Sequence, residues 1–320
     1  MKAVVWTAYG PPDLLQVRDT PIPTPADDDV LIRVRATSIN PFDWHMMRGE
    51  PFPTRLMSGL RSPKLQLGRD VAGVVETVGA KVTEFKPGDE VFGCCRGGAF
   101  AEYVCSPTKL LAPKPTRLTF EEAGAVGIAG FTALIAVRDK GQVRAGQRVL
   151  INGAAGGVGT FAVQIAQAQG AEVTAVCSTT NVDLVRSLGA DHVVDYTRDD
   201  FTAGSARYDV ILDNVSTRSL AACRRVLKPG GIHVAVGALS MWRIATRLLA
   251  APIVSRLSSK RLVPAMVAPG KSDLLALSEL LETGTVRPAI DRVYPLVDIV
   301  EAMRYVETGH ARAKVVMTVV

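Results

Sequence analysis

The chain has 320 residues, 48% hydrophobic and 21% charged, with five cysteines and a net charge of +6. That length exceeds one typical core and calls for two domains, and the balance of apolar and charged residues excludes a disordered chain. The cysteines, Cys94, Cys95, Cys105, Cys177 and Cys223, are odd in number and lack a CxxC pair or a nearby histidine cluster. This argues against a disulfide framework or a structural zinc and for reduced thiols in a cytoplasm.

The opening MKAVVWTAYG enters a strand-like alternation directly, so no signal peptide is expected. Through the first 120 residues, short segments such as KAVVWT, VLIRVRATSI, DVAGVVETVG, DEVFG and AFAEYVCS alternate apolar and polar positions between Gly/Pro turns, which predicts a β-rich, partly barrel-like unit. From about Glu122 the rhythm changes. Strands RVLING, AEVTAVCS, HVVDY, YDVILDNV and GIHVAVGA are now separated by helical patterns, including a short helix after HVVDY, as in βαβ units around a parallel sheet. The run from Val149 to Ala171 is uncharged, but Asn152 and several glutamines and glycines make a membrane span there improbable, and no transmembrane segment is expected. Beyond Ala238 a basic helical excursion is expected, then a strand at LVPAMVA. Between Asp213 and Asp273 there are ten lysines and arginines and no acidic residue, a regional excess that is either a solvated face or an attraction for an anionic partner. Helices at SDLLALSELLETG and VDIVEAMRYVETG, a strand near DRVYPL and a closing strand AKVVMTVV follow, and this C-terminal part is expected to return to the first domain.

The stretch INGAAGGVGTFAVQIAQAQG joins a strand to a helix through a glycine turn, with Val158, Phe161, Ala162, Ile165 and Ala166 on one helical face. Glycines there permit a tight turn and close backbone approach, and the N–H groups of the helix start receive pyrophosphate oxygens; close packing alone would also use small residues. Followed by four further strand-helix alternations, the turn Ala154, Ala155, Gly156, Gly157, Val158, Gly159 is read as a dinucleotide site. The next strand ends in Cys177-Ser178-Thr179-Thr180-Asn181, without the carboxylate that usually accepts the ribose hydroxyls of NAD. Hydroxyl donors at Ser178 and Thr179 and a helix start at Asn181 therefore favour NADPH over NADH; the same residues also serve as helix caps.

Taken together, GPPDLLQVRDTPIPTP, SINPFDW, GRDVAGVVETVG, FKPGDEVFG, GGAFAEYV, AGFTAL, INGAAGGVG, SLGADHVVDY and DNV run in order along the chain and resemble the medium-chain dehydrogenase/reductase superfamily in its zinc-independent quinone oxidoreductase-like branch. The resemblance implies an α/β fold. A GroES-like β-rich catalytic domain of residues 1–122 and 269–320 would accompany a Rossmann domain of residues 123–268, with the active site in the cleft between them. It also implies a homodimer. Asn40 falls where the zinc-dependent members have a cysteine ligand, and Arg69-Asp70 where they have a histidine-glutamate pair. Arginine cannot give up its proton near neutrality, and an amide oxygen is a poor zinc ligand, so no zinc is expected.

Without a Lewis acid, hydride transfer to an already electron-poor acceptor, a quinone or an α,β-unsaturated carbonyl, is the chemistry that remains accessible. The resemblance places Asn40 and Asp43 beside the nicotinamide and Trp44 and His45 on the substrate side. His45 is a candidate proton donor or a structural histidine. Asp43 is a candidate acid or, ahead of that, a brace of its loop through a salt bridge to an arginine such as Arg69. Carried over by position are Thr132 near the nicotinamide, Tyr196 beside the 2′-phosphate, Asn214 and Val215 along the nicotinamide ribose, and Gly237 and Ala238 at the next strand end. Relatives commonly carry a basic residue near Thr180 and this chain does not. That weakens the NADPH preference, keeps NADH use open and makes Arg198 a substitute candidate. Two alternatives stand beside the small-molecule quinone or enone reductase: a biosynthetic enoyl reductase on a carrier-bound substrate, and a nucleotide-binding protein whose basic stretch binds RNA or a membrane surface. The basic stretch has only Trp242 beside it, so stacking platforms for bases are lacking and no nucleic acid is expected.

Overall fold

A computed structural model describes residues 1–237, 259–265 and 270–319. The chain divides into two compact units, Met1–Ala129 with Pro269–Val320 and Gly130–Ala268.

The first unit begins with β1 (Lys2–Val5) and β2 (Gln16–Asp19), an antiparallel pair with Val4 opposite Val17. Its axis is β3 (Asp29–Ile39), where the alternation in IRVRA buries Ile32 and Val34 and exposes Arg33 and Arg35. After it come α1 (Pro41–Arg48), α2 (Pro53–Ser58), β4 (Asp70–Val78), β5 (Glu90–Cys94), β6 (Tyr103–Pro107), β7 (Leu111–Pro113) and α3 (Phe120–Gly124). Ile32, Val71, Val75, Val91 and Phe100 are buried in its core.

The chain passes into the second unit within α4 (Gly127–Leu134). There β8 (Arg148–Asn152), α5 (Gly157–Ala168), β9 (Glu172–Cys177), α6 (Val182–Ser187), β10 (His192–Asp195), β11 (Tyr208–Asp213), α7 (Leu220–Val226), β12 (Leu227–Ala235) and β13 (Arg261–Pro264) follow. The six strands lie in the order β10-β9-β8-β11-β12-β13, all parallel, the doubly wound arrangement. Helices cover a parallel sheet on both faces, so its strands carry the apolar runs VLI, AVC and VIL. The order reverses between β8 and β11, and ligands of such sheets bind outside the carboxyl ends at that point.

The short helix expected after HVVDY does not form. Asp195 instead accepts from the N–H and hydroxyl of Thr197, and Asp200 from those of Thr202, so side chains take the backbone donors a helix would have needed. Most of the expected basic excursion lies outside the described residues, as does Ala238.

The chain then returns to the first unit with α8 (Lys271–Glu282), β14 (Ile290–Pro295), α9 (Ile299–Glu307) and β15 (Lys314–Thr318). β15 pairs antiparallel with β3, completing a seven-stranded sheet in the order β14-β15-β3-β4-β5-β7, with β6 also on β3. Among the described residues, no helix is long and apolar enough to cross a membrane.

Candidate functional site

At the carboxyl end of β8 the chain turns through Gly153, whose φ of +76° favours glycine, and the N–H groups of Gly153 and Ala154 donate to Val176 O. Ala154 and Ala155 are buried, Gly156 is the extended N-cap of α5, and Gly157 and Val158 open the helix. Gly159 has a steric duty, because a Cβ there would lie 2.2 Å from Gly153 O; only glycine lets the helix start so close to the strand. Over Gly156, by contrast, a Cβ would meet nothing nearer than Gly153 O at 3.5 Å. The first-turn amides of α5 have no intrahelical acceptors.

The loop after β11 faces the same turn. Asn214 donates to Asn152 O from its backbone (3.1 Å) and from Nδ2 (3.0 Å), while its Oδ1 is buried without a hydrogen-bond partner. A buried acceptor left open implies a donor from outside the chain, and a ribose hydroxyl is such a donor. Val215 lies beside Gly153, and Gly237 N–H donates to Asp213 O. Asp213, fully buried, holds these parts together. Its Oδ1 accepts from Asn152 Nδ2 (2.9 Å) and Ser216 N (2.8 Å), and its Oδ2 pairs with His233 Nε2 (3.2 Å). The ends of β8, β11 and β12 are therefore tied by one carboxylate that sequence reasoning missed; an acidic residue closing an apolar strand was the available signal. An open acceptor and a glycine cradle at the switch point fit a nicotinamide dinucleotide. Thr132 is buried on α4.

At the end of β9, Asn181 Nδ2 donates to Ser178 Oγ (3.0 Å) and Thr179 Oγ1 to Asp195 Oδ2 (2.5 Å). Tyr196 is exposed, its N–H on Cys177 O. Asp195 is a second residue that sequence reasoning missed, since it arrives from the neighbouring strand β10. Its hydrogen bond from Thr179 leads the causes that hold its carboxyl below the usual range, and Arg198 stands 3.7 Å from it. Arg198, the substitute candidate for a 2′-phosphate contact, is thus paired with a carboxylate. A cavity of about 340 Å³ in this unit, lined by Gln142, Arg144, Asp209 and Arg261, sits at the opposite ends of the strands, where β8 and β11 begin, away from the glycine turn.

In the first unit the motif SINPFDWH forms the end of β3 and the start of α1. Asp43 is buried. Its Oδ2 accepts from Asn40 N (2.8 Å) and its Oδ1 from Gly68 N (2.9 Å). Burial pushes its carboxyl up to about 6 against the lowering effect of those two amides. The expected salt bridge to Arg69 is not formed: the brace is made of backbone amides, one oxygen closing the capping box at the start of α1 and the other holding Gly68 of the neighbouring loop.

His45 is half-buried, stacked on Trp44 with ring centroids 3.6 Å apart, and its Nδ1 is 3.0 Å from Glu50 O. A carbonyl only accepts, so Nδ1 carries the proton and Nε2 a lone pair. Burial also lowers the pKa of His45, which makes it a weak source of protons at neutral pH.

Asn40 belongs to a buried polar cluster. Asp70 Oδ2 accepts from Ser38 Oγ (2.5 Å), Asn40 Nδ2 (2.9 Å) and Lys314 Nζ (3.1 Å), and its Oδ1 from Ile128 N (2.7 Å). Lys314 Nζ also donates to Asn40 Oδ1 (2.7 Å). The pairing of Val315 with Ile39 sets Lys314 opposite Asn40, a relation between positions 274 apart that no local pattern announces. A lone lysine ahead of the apolar run VVM was its only trace. Arg69, between the two pinned residues Gly68 and Asp70, lies with its guanidinium carbon 4.2 Å over the Phe42 ring.

These donors do not fit zinc. Asn40 offers an amide oxygen already bonded to an ammonium, Arg69 is a cation, and Asp70 is committed to four donors. Among the described residues, one group has the spacing of metal ligands, Asp213, Cys223 and His233, and its carboxylate is the tie between strand ends described above.

Residues 26–116 match the family described as alcohol dehydrogenase GroES-like domain, and residues 188–317 the family described as zinc-binding dehydrogenase. The chain is 31% identical over 334 residues to a chloroplast envelope quinone oxidoreductase homolog of Arabidopsis thaliana, covering 99% of this chain and 98% of that protein. It is 34% identical over 343 residues to an NADPH-dependent alkenal/one oxidoreductase, chloroplastic, of the same plant, covering 99% of this chain and 79% of that protein. The quinone oxidoreductase from Coxiella burnetii has the same fold, with a TM-score of 0.88, 30% identity, and coverage of 100% and 99%. A GroES-like unit, a doubly wound unit with a dinucleotide cradle, and relatives of this kind over the whole length make the chain an NAD(P)H-type oxidoreductase that belongs to the quinone oxidoreductase-like branch of the medium-chain dehydrogenase/reductase superfamily.

Proposed function

We propose that the protein is an NADPH-dependent, metal-free reductase that passes hydride to a quinone or to the β-carbon of an α,β-unsaturated carbonyl. The observation that carries the reading is the commitment of Asn40 and Asp70 to the Lys314 ammonium: where a zinc-dependent relative would present metal ligands, this chain holds a fixed organic cation. The coenzyme supplies the hydride. The chain's own part is to seat the diphosphate on the α5 amides at Gly157–Gly159, to offer Asn214 Oδ1 to a ribose hydroxyl, and to keep Asn40 and Asp43 rigid beside the acceptor. Ser178 is the hydroxyl donor for the 2′-phosphate, since Thr179 gives its proton to Asp195, and pairing of Asp195 with Arg198 reduces its repulsion. NADH is the poorer donor in this reading. The relatives named for quinone and for alkenal/one reduction support both acceptor classes.

Purified protein with elemental analysis, assayed by NADPH absorbance against quinone, enone and enoyl-thioester panels, tests the proposal. Turnover of quinones or enones by zinc-free protein is the expected result. Stoichiometric zinc needed for turnover overturns the metal-free mechanism. Turnover confined to thioesters favours the biosynthetic enoyl reductase. No turnover, with salt-sensitive RNA or vesicle binding, favours the nucleotide-binding alternative. A cytoplasmic location and a homodimer formed through an edge strand of the doubly wound sheet complete the proposal, the latter checked by light scattering.

A further inference from the structure

Arg69 stands out in the first unit as a cation without an assigned task. Three consecutive residues are held against the first turn of α1: Gly68 by Asp43 (2.9 Å), Asp70 by Asn40 (2.9 Å), and between them Arg69, whose guanidinium lies over Phe42 at 4.2 Å. Its backbone is fixed as well, because Cys95 N donates to Arg69 O (2.8 Å). Yet among the described residues its side chain makes no hydrogen bond and no ion pair, and Nε is buried without a partner. The nearby carboxylates bond other groups: Asp43 accepts from two amides and Asp70 from four donors. An unsatisfied buried donor is unfavourable, and a guanidinium held over a ring face still has N–H groups to offer. A rigid cation with open donors beside Asn40 and Asp43 is a receptor for an anionic oxygen.

We propose that Arg69 is the residue that binds the acceptor's carbonyl oxygen and takes the negative charge that develops on it. The inference rests on the reductase reading above and specifies its electrostatics. When hydride bonds to the acceptor's electron-poor carbon, the coenzyme C–H bond breaks with its electron pair and the coenzyme is oxidised. The displaced π pair moves to the carbonyl oxygen, giving an enolate; from a quinone, this enolate becomes the hydroquinone monoanion when the carbon that took the hydride releases one proton to water and the second oxygen takes one up. Arg69 hydrogen-bonds this oxyanion until water protonates the reduced product. The two electrons and one proton of the hydride, plus one solvent proton, account for the product.

The test compares wild type with R69M and R69K. Melting temperature and NADPH fluorescence titration establish that fold and coenzyme binding are kept. Removing a single oxyanion donor typically costs about 10²–10³-fold in turnover; R69M is expected to lose kcat/KM for both acceptor classes on this scale, with R69K intermediate and added guanidinium ion restoring part of the R69M loss. A second readout needs no turnover. In titrations with 4-nitrophenol, whose anion mimics the reduced quinone, wild type is expected to raise the ionised fraction at constant pH, and R69M is not. R69M activity within about threefold of wild type, below the 1.4 kcal/mol of a tenfold change, overturns the role, as does an unchanged nitrophenol spectrum with wild type. If wild type reduces no acceptor, the function reading falls, and the nitrophenol titration still decides the fate of Arg69.

Discussion

Replacing Lys314 with methionine isolates what the buried cluster at Asn40 contributes. Asp70 is 0% exposed and Lys314 3%. K314M keeps much of the side-chain volume but leaves the Asp70 carboxylate with Ser38, Asn40 and Ile128 as donors and without its cation. Breaking a buried pair from one side costs about 3–5 kcal/mol, because the remaining charge keeps its desolvation penalty. For a unit of this size each kcal/mol lowers the melting temperature by about 2–4 °C, so K314M should lower the first unit's transition by about 6–20 °C. The double variant D70N/K314M removes both charges and should recover at least half of that loss. Differential scanning calorimetry of wild type, both single variants and the double variant measures the cycle. K314M melting within about 2 °C of wild type, equivalent to under about 1 kcal/mol, or a double variant no better than K314M, refutes the argument that the pair holds the cluster together.

Other consequences follow from single positions. Because burial raises Asp43 to about 6 from an ordinary 3.8, the folded chain holds its proton more tightly than the unfolded one. Its stabilising contribution is complete below about 3.8 and lost as pH rises through about 6. Urea titrations at pH 4 and pH 7 should therefore show stability shifting toward D43N, relative to wild type, by at most about 3 kcal/mol as the pH rises; a shift the other way refutes the burial argument. In G159A the new Cβ would sit 2.2 Å from Gly153 O, a backbone atom that cannot yield cheaply. Overpacking of about 1–3 kcal/mol and weaker NADPH binding are expected, read by thermal melting and fluorescence titration. Asp195 bonds Thr179 at 2.5 Å, so D195N should raise the NADPH-to-NADH ratio of kcat/KM by about threefold to tenfold; an unchanged ratio places the 2′-phosphate elsewhere.

Where the pattern is local, it was legible. The strand RVLIN, the glycine turn and the face Phe161, Ala162, Ile165, Ala166 are set by periodicity and by the backbone freedom of glycine, and they became β8 and a helix burying that face. The absence of a helix after HVVDY was less so, because it depends on whether Asp195 and Asp200 bond the backbone nearby.

The amino-acid sequence by itself determined the alternation that builds the parallel sheet and the cradle between Gly153 and Gly159, since these rest on residue type and short spacing. Only the tertiary structure decided which charges meet. Lys314 reaches Asn40 through the register of β15 on β3, Asp195 reaches Thr179 across adjacent strands, and Asp213 ties three strand ends. Asp43 turns to amides rather than to Arg69. Pairing of buried polar groups is set by strand register over long sequence separations, and the strength of each contact comes from the low dielectric that burial creates.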